Sequence, residues 1–232
     1  MSNKKKFFII FLLIIVDSFL FIGYLVIRDK TNLVDLKKEI KELDKLDITK
    51  DSYDRRIKTS GDYAVVEKTI KNYLNSYSND VQEIKKLMND SYLTKILSYD
   101  NYSKDGFEFT KSFKYLESEK KSFNKKIDLL IKKSNKDYIN KYIDKKISDN
   151  YYNELCKELM ITDERIKSFE KNKETLEEIK VKVNKTIDLS SEVLTLLKEN
   201  KDNCVLEDNQ IKFKSKPVYD KYNELISKIK EG

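Results

Sequence analysis

The chain of 232 residues has no histidine, one proline, four glycines and one alanine, and each scarcity removes options. Without histidine there is no Ser-His-Asp or Cys-His catalysis, no His-ligated zinc and no side chain that ordinarily titrates near neutrality. Gly23, Gly61, Gly106 and Gly232 are too scattered to write a P-loop or a dinucleotide-binding fingerprint. With Pro217 as the sole proline, turn formers are too few for a sandwich, a barrel or an open α/β sheet, so long helices remain. No D-x-D-x-D-G loop occurs, and the nearest stretch, DNYSKDGFE at 100–108, has its side chains out of EF-hand order. Carboxylates are so common that a close pair arises by chance, and spacing alone identifies no glycosidase-like dyad. No catalytic, cofactor-binding or metal-ligating residue is assigned, and the chain is read as non-enzymatic.

Charge is plentiful but mixed. The formal net charge is +7, and setting aside residues 1–27, which hold Lys4, Lys5, Lys6 and Asp17, leaves 44 basic against 39 acidic groups. The basic residues are nearly all lysine, with only Arg28, Arg55, Arg56 and Arg165, and they alternate with Asp and Glu. That is the pattern of solvated helix faces rather than a one-sided nucleic-acid patch, and no nucleic-acid partner is expected. Abundant Lys, Ile, Asn and Tyr beside a single Ala64 read as the codon bias of an AT-rich bacterial genome.

Apolar residues concentrate at the start. Behind a basic tail, residues 1–6, the run FFIIFLLIIVDSFLFIGYLVI occupies 7–27, and its 21 residues at about 1.5 Å each span a hydrocarbon core of roughly 30 Å. The run is longer than a signal-peptide core, and no A-x-A-like site follows before Arg28-Asp29-Lys30, so an uncleaved signal-anchor is expected. A short basic tail directly before the span favours a cytoplasmic N-terminus with the body outside, in a single-pass cell-membrane protein. Asp17 stands at the middle of the span, where a carboxylate costs about 2.5–3.5 kcal/mol. Either Asp17 and Ser18 make an intramembrane contact with a partner helix or a second copy, or Asp17 is protonated and merely tolerated.

The body reads as all-α, an elongated multi-helix bundle with coiled-coil character and one small β-hairpin. Leu33, Leu36, Ile40 and Leu43 continue the anchor as a stalk that stops near Asp47, within a juxtamembrane segment 28–58. The bundle domain is assigned to 59–232. Thr59 and Asp62 make a capping-box-like pair ahead of Tyr63, Val66, Ile70, Tyr73, Tyr77, Val81, Ile84 and Met88, which predicts a helix over about 61–89. Further helices are predicted around Tyr92–Leu97, from Phe109 to a break near Ser134-Asn135, through Tyr138–Ile143 and through Tyr151–Met160. After Thr162-Asp163, a heptad seam from Ile166 to Leu197 predicts the longest helix, with Lys173 on the seam expected to be exposed or snorkelling. In CVLEDNQIKF, 204–213, an Asp208-Asn209 turn would oppose Leu206 to Ile211 and Cys204 to Phe213, placing all four apolar residues on one face. Ser215 or Lys216 then precedes Pro217 at the first position of a final helix.

Several stretches carry a resemblance: T-S-G-D-Y-A-V-V-E-K-T-I-K-N-Y-L at 59–74, D-G-F-E-F-T-K-S at 105–112, E-N-K-D-N-C-V-L-E-D-N-Q-I-K-F at 199–213 and the closing Y-N-E-L at 222–225. With the basic tail and single span, the chain resembles an uncharacterised family of membrane-anchored helical proteins from low-GC Gram-positive bacteria. Relatives often carry an aromatic residue where this chain has Cys204. The resemblance implies location and architecture and supplies no catalytic residue.

Two local questions remain. Cys156 and Cys204 could bridge if the body lies outside, or could be two buried thiols acting as small hydrophobes. Most tyrosines sit on helical seams, which leaves Tyr151-Tyr152 as the exposed pair worth testing. The leading expectation is a non-enzymatic interaction or structural module of the cell envelope, bound to another envelope protein or to itself. The alternatives are a Lys-rich binder of wall polyanions or lipid headgroups and, in the opposite topology, a cytoplasmic coiled-coil factor.

Overall fold

The computed structural model describes residues 25–43, 45, 54–89, 95–105 and 107–231. Most of the expected anchor, including Asp17 and Ser18, and the expected helical residues Tyr92 and Leu93 lie outside the described residues, as does the expected end of the stalk near Asp47. Among the described residues no helix is long and apolar enough to cross a membrane.

The described chain is mostly helical. Helix α1 covers 25–43, α2 Gly61–Met88, α3 Tyr99–Asp105, α4 Thr110–Lys133, α5 Lys136–Asp144, α6 Asn150–Met160, α7 Asp163–Glu199 and α8 Lys216–Glu231. The only strands among the described residues, β1 (Cys204–Glu207) and β2 (Gln210–Phe213), pair antiparallel. The chain falls into two compact units. The first combines the described residues up to Asn75 with Asn140–Thr162; the second combines Ser76–Ile139 with Asp163–Gly232. The apolar seam of α1, Leu36, Ile40 and Leu43, is buried in the first unit.

In the first unit, α2 begins where Gly61 takes a φ of 60°. The expected Thr59–Asp62 capping pair does not form, because the Thr59 hydroxyl donates instead to the Glu67 carboxylate at 2.8 Å. Tyr63, Val66, Ile70 and Tyr73 form the buried stripe of this half of α2. Helix α6 starts on an N-cap: the Asp149 carboxylate accepts from the backbone N–H groups of Tyr151 and Tyr152 at 2.9 and 3.2 Å. The Asn153 amide beside it donates to the Ile147 carbonyl at 2.9 Å and secures the approach to the helix.

In the second unit, α7 packs against α4 and α8. Its seam is buried at Phe169, Ile187, Leu194 and Leu197, half-buried at Ile166, Leu176 and Val183, and exposed at Lys173. The hairpin has the expected register, Cys204 opposite Phe213 and Leu206 opposite Ile211. Its turn residues Asp208 and Asn209 take φ of 52° and 57°, the two positive values of a type I′ turn. Phe213 meets Tyr222 and Tyr219 of α8 with ring centroids 5.1 and 5.7 Å apart, so the hairpin's apolar face closes on the last helix. That helix begins at Lys216, which puts Pro217 at its second residue rather than its first. Phe109, fully buried just before α4, holds a φ of 51°, a strained value for an aromatic residue.

Candidate functional site

Two arrangements stand out, and they differ in kind. The first is a buried ionic cluster in the first unit. The side chains of Glu67, Lys71 and Glu39 are 0%, 2% and 6% exposed. The Lys71 ammonium has three acceptors: a Glu39 oxygen at 2.8 Å, a Glu67 oxygen at 2.7 Å and the Arg56 carbonyl at 2.6 Å. Glu67 also accepts from the backbone N–H of Lys58 at 3.0 Å and of Thr59 at 2.9 Å, and from the Thr59 hydroxyl. Glu39 takes the Lys58 ammonium at 2.5 Å.

The cluster arises because Glu67 and Lys71 lie one helical turn apart on α2, immediately beside the buried Val66 and Ile70. Burial alone would raise the carboxyls of Glu39 and Glu67, but the ammonium and hydrogen-bond donors outweigh it and hold both below the ordinary carboxylate range. Burial likewise works against the charged Lys71, and Glu39 and Glu67 reverse it to raise its pKa. Every donor of Lys71 is occupied, so the cluster fastens the 54–60 segment between α1 and α2 and offers a ligand nothing. Its signal in the sequence was an i,i+4 acid–base pair flanking an apolar stripe, a pattern as common on solvated faces.

The second arrangement is an apolar groove in the second unit, with a volume of about 520 Å³. Its described lining comes from the end of α2 (Leu87, Met88), from Ile96 and Leu97, and from Phe123 of α4. Helix α7 adds Ile179, Val183, Thr186, Ile187 and Ser190, and α8 adds Ile229. The two hydroxyls are turned inward: Thr186 donates to the Lys182 carbonyl at 3.0 Å and Ser190 to the Thr186 carbonyl at 2.8 Å. Glu119 and the exposed Lys182 add one charge of each sign. The volume is that of a ligand pocket, and burial of apolar surface is the chemistry it offers.

Cys156 and Cys204, the expected alternatives of bridge or buried thiol, are both free and buried, one in each unit. Burial pushes the Cys156 thiol up to about 12 and raises Cys204 as well, so neither is a ready nucleophile. Tyr151 is exposed as expected, while Tyr152 is half-buried and stacks edge-on against both Tyr151 and Tyr63. Among the described residues no three acidic or cysteine side chains come together to hold a metal ion. No known protein family, curated protein or solved structure matches the chain.

Proposed function

We propose that the chain is a membrane-tethered, extracytoplasmic and non-enzymatic interaction module, whose groove in the second unit seats an amphipathic helix of another envelope protein. The tether is the apolar run 7–27 behind its basic tail. The observation that carries the binding role is the groove: apolar on its floor, its hydroxyls spent on backbone carbonyls, and edged by Glu119 and Lys182. An amphipathic helix answers that chemistry, with apolar anchors at i, i+3, i+4 and i+7 in the groove and charges of both signs meeting the rim. The polyanion alternative has weaker support, because lysines across the second unit already face carboxylates: Lys120 meets Asp188 and Lys180 meets Asp128, each at 2.5 Å, and Lys198 meets Glu108 at 3.0 Å.

Photo-crosslinking in the native membrane tests the proposal. A benzoylphenylalanine at position 186, in the groove, should capture a polypeptide through an amphipathic helical segment identified by mass spectrometry. The same probe at 181, where Val181 is 66% exposed and lies outside the groove lining, should not. Val183→Asp should abolish the adduct. Adducts with lipid alone, or equal capture from both positions, would overturn the reading.

A further inference from the structure

The start of α2 opens onto a hollow of about 410 Å³ that lies wholly within the first unit. Helix α1 gives it Arg28, Asp29 and Lys30, the start of α2 gives Gly61, Asp62 and Tyr63, and α6 gives Tyr152. Neither the ionic cluster nor the groove of the second unit shares these residues.

The first N–H groups of a helix have no partner inside it and carry the positive end of its dipole. At α2 the two preceding hydroxyls do not cap them, because Thr59 donates to Glu67 and the Ser60 side chain is paired with Asn32. Gly61 has a φ of 60°, and nothing lies within 4 Å of where a Cβ would stand, so an oxyanion can approach the backbone there.

Tyr63 makes a second, independent demand. Its side chain is 3% exposed, and its hydroxyl has no hydrogen-bond partner among the described residues. Burial, then Tyr151 and Asp29, raise the pKa of that hydroxyl, yet the oxygens of both neighbours stand outside hydrogen-bonding geometry. A sheltered hydroxyl left unpaired is costly, so an acceptor in the hollow answers it.

The charges around the hollow are of both signs. Lys30, Asp29 and Asp62 form no ion pair among the described residues. Burial, Asp62 and Asp29, in that order, raise the Tyr152 hydroxyl, so both carboxylates act at the tip of one ring. An anion alone would face these two carboxylates, and a cation alone would leave the helix end and Tyr63 without an acceptor. A ligand carrying both charges meets each requirement. A tetrahedral phosphate turns its oxygens toward donors in several directions, which a planar carboxylate does not.

We propose that this hollow binds an alkylammonium phosphate ester. Its phosphate lies at the N-terminus of α2, with Lys30 and the Tyr63 hydroxyl, and its ammonium lies between Asp29 and Asp62 against Tyr152. A free ester and a phospholipid headgroup share this chemistry.

Isothermal titration of the full chain in a maltoside detergent, with phosphoethanolamine as the probe, tests the site. Phosphoethanolamine should bind, and inorganic phosphate, ethanolamine and glycine should each bind at least about tenfold more weakly. Tyr63→Phe keeps the ring and removes only an unpaired hydroxyl, so it should leave the thermal midpoint of the unliganded chain unchanged or higher while weakening binding about tenfold. Lys30→Gln should weaken binding several-fold, whereas Lys37→Gln, the same charge change on α1 outside this hollow, should not. Titrations in phosphatidylglycerol nanodiscs with and without phosphatidylethanolamine then separate the sources, an arm that rests on the tether reading. A several-fold loss of apparent affinity with phosphatidylethanolamine present assigns the site to the lipid headgroup, and an unchanged affinity assigns it to the free ester. No phosphoethanolamine binding in detergent, equal binding of inorganic phosphate, or binding that Tyr63→Phe and Lys30→Gln both leave unchanged refutes the site.

Discussion

The first unit carries Glu39, Glu67 and Lys71 in its interior, with side chains at most 6% exposed, whereas the second centres on Leu194, Leu197, Val193 and Phe109 and keeps most of its ion pairs outside. Even the better-sheltered pair of the second unit, Lys133 with Asp80, retains 11% and 20% exposure. The difference follows from what each must hold. In the first unit the 54–60 segment has no regular secondary structure, and its backbone N–H groups at Lys58 and Thr59 and its carbonyl at Arg56 find their partners in the ionic cluster. Buried backbone groups must be paired, and here two side chains of α2, Glu67 and Lys71, do what a ladder or helix would otherwise do. In the second unit α4, α7 and α8 satisfy their own backbones, so the core is apolar and the surplus apolar surface opens as a groove.

The sharpest way to break this contrast is Lys71→Met. Removing the ammonium leaves two buried carboxylates facing each other, and the first unit should lose about 3–5 kcal/mol in denaturant unfolding. Lys58→Met, at a side chain 52% exposed, should lose less than about 1 kcal/mol because its backbone N–H still reaches Glu67. A loss under 1 kcal/mol for Lys71→Met would show that the cluster is dispensable.

Acid should separate the units next. The depressed carboxyls of Glu39 and Glu67 contribute stability that is present above their unfolded pKa, about 4.3, and is lost as pH falls through their lower folded values. Glu83, Glu108 and Glu224 in the second unit are depressed too, by lysine partners, but they are exposed and salt screens them. At high ionic strength, hydrogen exchange near pH 3 should open the first unit before the second. Simultaneous opening would contradict the contrast.

A smaller effect is expected at the hairpin. Asn209→Ala forces alanine into a left-handed conformation and should cost about 1–2 kcal/mol in the second unit, seen as a lower thermal midpoint. Smaller still is Thr186→Met, which puts methylenes into the groove rather than into packed core and should change stability by less than about 0.5 kcal/mol. In a filled core the same growth costs about 1–3 kcal/mol, so a loss of that size would show that the space is already occupied.

Much of the fold was legible because helix periodicity is local. The bounds of α2, α4 and α7 follow from apolar residues at three- and four-residue intervals, and the hairpin register follows from requiring Cys204, Leu206, Ile211 and Phe213 on one face. The capping of α2 was misread because Thr59 and Asp62 have the right spacing for a local pair, while the Thr59 hydroxyl goes to Glu67, eight residues away. Tyr151 is exposed, as its place in the sequence suggested, but nothing in its neighbourhood in the chain indicated that it borders a hollow with Leu33 and Lys37 of α1.

By itself the sequence determined the helical class, the hairpin with its Asp208-Asn209 turn, the apolar stripe of each long helix and the 21-residue, largely apolar run at 7–27. These depend on periods of two and 3.6 residues and on turn chemistry, which neighbours in the chain express without help. Only the tertiary structure decided that α1 belongs to a packed unit, that Glu39 closes on Lys71, that the two thiols stay free, and that Val183 and Phe123 line one groove. Each of those pairs residues separated by tens of positions. Which of many equally apolar or equally charged faces meet is settled by how whole helices fit together, because packing is judged over the assembled surface and not residue by residue.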